Sequence, residues 1–144
     1  MTTANPTRAL PTLPALNRYT AVLGAVAAAV LVNLILWAVG AAAGGSFVTV
    51  DNGTAMDVAP GGVVIMSAVP LAIGTTIAAV LSHWWIGVLR VAAAVGSVLA
   101  LATIALTVAA DFDTASTVAL SLMHVTLVPI LVVAMEGLRN RLTA

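Results

Sequence analysis

The sequence predicts an all-α protein of four membrane-spanning helices arranged as an up-and-down bundle, and three observations predict it. The first is composition: 62% of the 144 residues are hydrophobic and 7% are charged, with a mean hydropathy of +1.17. Ten Arg, Asp and Glu side chains cannot clothe the surface of a water-soluble domain of this length. The second is four uncharged apolar runs, each near the ~20 residues that a bilayer core of about 30 Å requires. The third is charge order, because the arginines and aspartates alternate from one gap between runs to the next.

The runs cover residues 19–43, 63–82, 91–110 and 115–135. Hydrocarbon offers no water to satisfy backbone groups, and four strands cannot close a barrel, so each run is read as a helix. Arg8 and Arg18 precede the first run, Arg90 separates the second from the third, and Arg139 and Arg141 follow the fourth. Asp51 and Asp57 lie between the first and second, Asp111 and Asp113 between the third and fourth. Arginine in short flanking segments marks the cytoplasmic side, so the pattern predicts a plasma-membrane protein with both ends in the cytoplasm. The first run is about twice as long as the apolar region of a cleavable signal and is expected to stay in the chain.

Residues 1–18 carry Pro6, Pro11 and Pro14 among polar residues and read as a flexible cytoplasmic tail. The transmembrane domain then spans residues 19–142, with an outer loop at 44–62. Within that loop, Phe47, Val48 and Val50 precede Asp51, Asn52 and Gly53, a turn sequence that suits a short hairpin. The triplet Asn52, Gly53, Thr54 matches a glycosylation sequon, a weak motif that assigns no function. Short links elsewhere predict that helices two and three, and three and four, are antiparallel neighbours.

Zero net charge and the lack of any Lys argue against a nucleic-acid partner. The absence of Cys removes disulfides, thiolate metal sites and cysteine nucleophiles. No carboxylate pair, HExxH pattern, phosphate-cradling loop or Ser/His/Asp set is present, so neither an enzyme nor a cofactor or metal site is expected. The implied partner is the lipid bilayer. Rows of small residues, Ala21 with Gly24 or Ala25 and Ala28 in the first helix and Ala92, Gly96 and Ala100 in the third, add contact faces for neighbouring helices, for a second copy of the chain or for a larger membrane complex.

The candidate site is a layer of polar side chains within the membrane. His124 lies about nine residues into the fourth span, where an ionisable group is costly. Thr117 and Ser121 precede it on the same helical face, and Asn33, Thr75 with Thr76, and Ser97 sit near the middle of the first, second and third spans. The bland reading is that these groups hydrogen-bond across helices and set register, at about 1 kcal/mol or less each. The sharper reading is a polar pocket around His124, whose neutral imidazole both donates and accepts. Pro70 and Pro129 each remove one helical hydrogen bond near this layer. His83, Trp84 and Trp85, with Trp37 and Tyr19, read as interfacial anchors. A haem between His83 and His124 fails on depth, since about 12 residues at 1.5 Å place His124 roughly 18 Å further in. Glu136 and Arg139 are expected to pair one turn apart.

Asn33, Pro70, the Met123–His124 pair and a fourth helix ending in Arg139 and Arg141 give the sequence a likeness. From Tyr19 to Leu142 it resembles the small four-pass actinobacterial membrane proteins grouped as domain of unknown function 6069. That resemblance implies the same topology and no established activity, ligand or catalytic residue. Two function classes fit: a non-enzymatic structural or accessory subunit packing through small-residue faces, and a small transporter or ligand-binding bundle centred on His124.

Overall fold

The computed structural model describes residues 13–144. The helices are α1 (Arg18–Ala42), α2 (Pro60–Leu81), α3 (Val88–Ala109) and α4 (Thr114–Thr143), with a hairpin of β1 (Val48–Asp51) and β2 (Thr54–Asp57) between α1 and α2. All four helices are long and apolar enough to cross a membrane, and the all-α expectation holds. The hairpin is antiparallel, pairing Val48 with Asp57 and Asp51 with Thr54. Asn52 and Gly53 both have positive φ, +48° and +80°, the two-residue turn whose twist matches that of its strands.

The helices start and stop where local chemistry dictates. Asn17 caps α1 by accepting from the Thr20 N–H at 2.9 Å, and Pro60 opens α2 at a position where a missing N–H costs nothing. Asp113 caps α4 through the Ser116 N–H at 2.9 Å. The largest departure from the expected spans is at the end of α4, which runs eight residues past residue 135. Charge ends a membrane span but not a helix. Glu136 accepts from Arg90 of α3 at 2.7 Å and from Arg139 at 3.5 Å, while Met135 and Leu138 are fully buried. The expected pairing with Arg139 is thus present, and the shorter pair ties α4 to α3.

Of the expected flexible tail, residues 1–12 lie outside the described residues, and residues 13–17 are fastened to α4. The Leu16 N–H donates to the Gly137 carbonyl at 2.8 Å, and the Asn140 amide donates to the Leu13 carbonyl at 3.2 Å. The fastening depends on a glycine, because a Cβ on Gly137 would sit 2.8 Å from the Leu16 side chain and 2.9 Å from the Pro14 carbonyl oxygen.

Packing follows the small residues. Ala21, Ala25, Ala29 and Asn33 form a buried row at four-residue spacing along α1. Ala25 rather than Gly24 belongs to this row, since a Cβ on Gly24 would meet nothing within 4 Å, and Ala28 is only half-buried. The row lets α1 lie against both α2 and α4, and α4 packs in turn against α3. One cluster gathers Ala21, Ala25, Ala78, Ala79, Leu89, Ala93, Leu131, Ala134, Met135 and Leu138 toward the arginine-bearing end. Another gathers Phe47, Val63, Ala119, Leu120 and Met123 toward the aspartate-bearing end.

The expected neighbours α2 and α3 are in contact, but loosely. Only six residues, 82–87, join these helices, yet they pack against each other sparsely. Gly74 on α2 and Ala92 and Ala100 on α3 line the space left between them above Leu127 and Leu131 of α4, whereas Gly96 is a contact of α3 with α4, since a Cβ there would run into the Leu131 side chain. A short link sets direction and proximity at one end only; side-chain volume sets the rest.

Candidate functional site

The space between α2 and α3 is a cleft of about 470 Å³. Its lining includes Ser67, Pro70, Leu71, Gly74 and Thr75 from α2, Val95, Gly96, Leu99 and Thr103 from α3, and His124, Leu127 and Leu131 from α4. A smaller cleft of about 290 Å³ reaches toward the hairpin end, lined by Asn33, Asp57, Val58, Gly62, Val63, Leu120 and Met123. Both clefts are also lined by Met66, Ser67, His124 and Leu127, which therefore stand at their junction.

His124 is half-buried, and its Nδ1 lies 2.8 Å from the Leu120 carbonyl oxygen one turn earlier. A carbonyl only accepts, so Nδ1 donates and the neutral ring presents Nε2 as an acceptor. Among the described residues nothing donates to that nitrogen. The histidine is thus held in one tautomer by its own helix, with its acceptor atom in a ring that lines both clefts.

Asn33 shares the smaller cleft with His124 but makes no hydrogen bond to it. Its amide lies 2.8 Å from Ser67 Oγ and 3.3 Å from Thr126 Oγ1, whose proton goes to the Met123 carbonyl at 2.9 Å. This bridge joins α1, α2 and α4. Along each of these helices it falls between the residues of the two apolar clusters, so it works as a register pin of the kind expected from interhelical polar groups in lipid. Ser67 and Thr126 were not singled out from the sequence. Thr126 lies two residues past His124, off the stripe that Thr117, Ser121 and His124 share, and Ser67 lies outside the middle of the expected second span. Only the neighbouring helices reveal them.

The remaining candidates separate. Thr75 is buried but returns its hydroxyl to the Leu71 carbonyl at 2.7 Å, and it lines the larger cleft. Thr76, the next residue, is exposed. Thr117 donates to the Phe112 carbonyl at 3.2 Å, which closes the first turn of α4 and places it at the helix end. Ser121 is half-buried and lines neither cleft. Ser97 Oγ is buried with no hydrogen-bond partner among the described residues. The layer inferred from depth resolves into a three-helix pin at Asn33 and a histidine with an open acceptor; Thr117 and Ser121 share neither.

A second polar cluster lies outside the spans. The Asp113 carboxylate accepts from the Ser46 N–H at 2.9 Å and the Ser46 hydroxyl at 2.8 Å, and from the Ser116 N–H at 2.9 Å and hydroxyl at 2.6 Å. The Ser116 hydroxyl, then the Ser116 and Ser46 N–H groups and the Ser46 hydroxyl, hold this carboxyl well below the usual carboxylate range. Ser116 Oγ also accepts from the Phe47 N–H at 2.8 Å. Phe47, buried at a positive φ of 53°, stacks on Trp37 with ring centroids 5.4 Å apart. The Trp37 indole N–H donates to the Val58 carbonyl at 2.8 Å, and the Thr49 hydroxyl donates to the Ala110 carbonyl. Trp37 was expected to be an interfacial anchor. It instead staples the hairpin to α1, because its donor finds a carbonyl on the loop rather than a headgroup. Trp84, Trp85 and Tyr19 remain largely exposed at the opposite end. There the His83 Nδ1 bonds the Val80 carbonyl at 2.9 Å, with no partner role for His124.

Among the described residues no group of three or more His, Cys, Asp or Glu side chains is placed to hold a metal ion. The chain is a multi-pass membrane protein by the length and apolarity of its helices. No curated protein and no solved structure matches it. The match of a family model over residues 14–141, nearly the whole described chain, shows that the protein belongs to the family of unknown function DUF6069.

Proposed function

We propose that this protein binds a lipid-soluble molecule within the membrane, taking it through the opening between α2 and α3 to the junction at His124, without catalysing a reaction on it. The observation that carries the reading is the meeting of two clefts at Met66, Ser67, His124 and Leu127. One cleft lies between α2 and α3, where the bundle is loosely packed, and the other reaches the hairpin. A largely apolar pocket with a few convergent polar groups is the usual form of a small-molecule site, and intramembrane histidines favour functional positions.

Gly74 provides the test. A Cβ there meets nothing within 4 Å, and the residue lines the larger cleft. Gly74→Leu therefore places its Cβ in open space at the wall of the cleft, and a better helix former adds about 0.5–1 kcal/mol of helix preference. The expected result is an unchanged or raised thermal midpoint together with at least a tenfold loss of bound lipid-soluble material when the purified protein is extracted and its ligands are measured. Equal retention by the variant and the parent would overturn the reading. In the accessory-subunit reading the opening instead receives a partner's helix against Ala92, Gly96 and Ala100, and Gly74→Leu then releases a co-purifying membrane protein rather than a small molecule.

We further propose that the protein sits in the plasma membrane with both ends in the cytoplasm, because Arg18, Arg90, Arg139 and Arg141 share one end and the four aspartates share the other. The chain has no native Cys, so single-cysteine variants report cleanly. An impermeant thiol reagent added to intact cells should label Asn52→Cys and spare Thr143→Cys. The reverse pattern would sink this orientation.

A further inference from the structure

Resting on the ligand-binding reading above, we infer that the molecule taken up by the cleft is an uncharged lipid-soluble alcohol or phenol, whose hydroxyl donates to His124. The inference comes from counting donors and acceptors at the junction of the two clefts. His124 Nδ1 is committed to the Leu120 carbonyl at 2.8 Å, which leaves Nε2 of the neutral ring able only to accept. Ser67 Oγ is engaged by the Asn33 amide at 2.8 Å, and Thr126 Oγ1, 3.3 Å from the same amide, gives its one proton to the Met123 carbonyl at 2.9 Å. Ser67, Asn33 and Thr126 thus satisfy one another and leave His124 Nε2 as the unpaired group.

The junction therefore offers one open acceptor, on a helix that lines both cavities. A hydroxyl group is the smallest uncharged group that answers it, donating to Nε2. A ketone or an ether has no proton to give and leaves Nε2 unpaired in an apolar surround, which costs affinity. A carboxylate finds no cation among the residues lining either cleft, and an ammonium group finds no anion in the larger one, Asp57 lining only the smaller cleft beside the hairpin. The remaining lining, Pro70, Leu71, Val95, Leu99, Leu127 and Leu131, calls for a hydrocarbon body, and about 470 Å³ accommodates one of moderate size.

The test uses the full-length protein in phosphatidylcholine nanodiscs with two probes of nearly equal size, farnesol and farnesyl methyl ether. Retention of each radiolabelled probe is measured against Gly74→Leu nanodiscs, and ¹⁵N spectra of labelled histidine are recorded in parallel, with His83 as the internal control. Farnesol is expected to bind about fivefold to tenfold more tightly than its methyl ether, and to move the His124 Nε2 resonance while leaving His83 unmoved. Equal retention of both probes, lost in Gly74→Leu, would leave the cleft as a binding site and overturn the hydroxyl inference. Preference for farnesol without a change at His124 would overturn it as well. No retention of either probe above the Gly74→Leu background would overturn both this inference and the reading on which it rests.

Discussion

Replacing Gly40 with leucine is expected to lower stability by about 3 kcal/mol, the upper part of the range for overpacking a tight contact. Gly40 packs directly against α4. A Cβ at that position would lie 2.6 Å from the Ala119 Cβ and 2.8 Å from the Phe47 ring. Neither neighbour has anywhere to go. The Ala119 Cβ is fixed to the backbone of α4, and Phe47 is pinned by its stacking on Trp37 and by its N–H bond to Ser116. Any larger side chain therefore drives the two helices apart and loosens the hairpin with them. Gly24→Leu on the same helix is the control, since its Cβ meets nothing within 4 Å and only the modest gain in helix preference remains. Thermal midpoints in detergent should fall sharply for the first variant and hold or rise for the second; equal midpoints would show that the Gly40 contact is not a packing constraint.

Ser116→Ala is expected to cost about 1–3 kcal/mol, the penalty for leaving a buried donor without its acceptor. Ser116 is fully buried and serves two partners, accepting from the Phe47 N–H and donating to Asp113. Its loss strands the N–H of a buried residue that already sits at positive φ. The same substitution changes the acid response. The Asp113 carboxyl is held below its ordinary value of 3.8 in the folded chain, with the Ser116 hydroxyl the largest cause. A depressed carboxyl contributes stability that is complete above the ordinary value and is lost as pH falls from there through the folded value. The parent should therefore lose stability progressively below about pH 4, whereas Ser116→Ala, with a smaller depression, should lose less over that interval and level off at a higher pH. Denaturation midpoints between pH 2 and 7 measure this, and parallel curves for the two proteins would remove Asp113 from the account.

The sequence carried the four helices, because hydrocarbon length and backbone satisfaction are properties of a single segment read by itself. It also carried the hairpin turn at Asn52 and Gly53, where two residues tolerant of positive φ stand between short β-prone runs. His124 and Asn33 were visible as polar groups at mid-span, yet their roles were not. Depth assigns a layer and says nothing of azimuth: Asn33 and His124 line one cleft, as their depth suggested, but the hydrogen bonds of Asn33 go to Ser67 and Thr126, which depth did not reveal. Thr75 and Thr76, adjacent in the chain, end up buried and exposed respectively, a difference of about 100° around the helix.

Single-segment physics thus determined the class, the helix count and the sorting of charge to two ends, since each depends on whether a residue can lie in hydrocarbon. What only the tertiary structure decided is which helices touch. In lipid an apolar surface gains little by meeting another apolar surface, so adjacency in the chain does not enforce packing. Contact depends on volumes contributed by separate helices: Gly96 lets Leu131 of α4 close on α3, while Gly74, Ala92 and Ala100 leave α2 and α3 apart above Leu127 and Leu131. The cleft at His124 is the product of those absent side chains on two helices and of one tautomer held by a third.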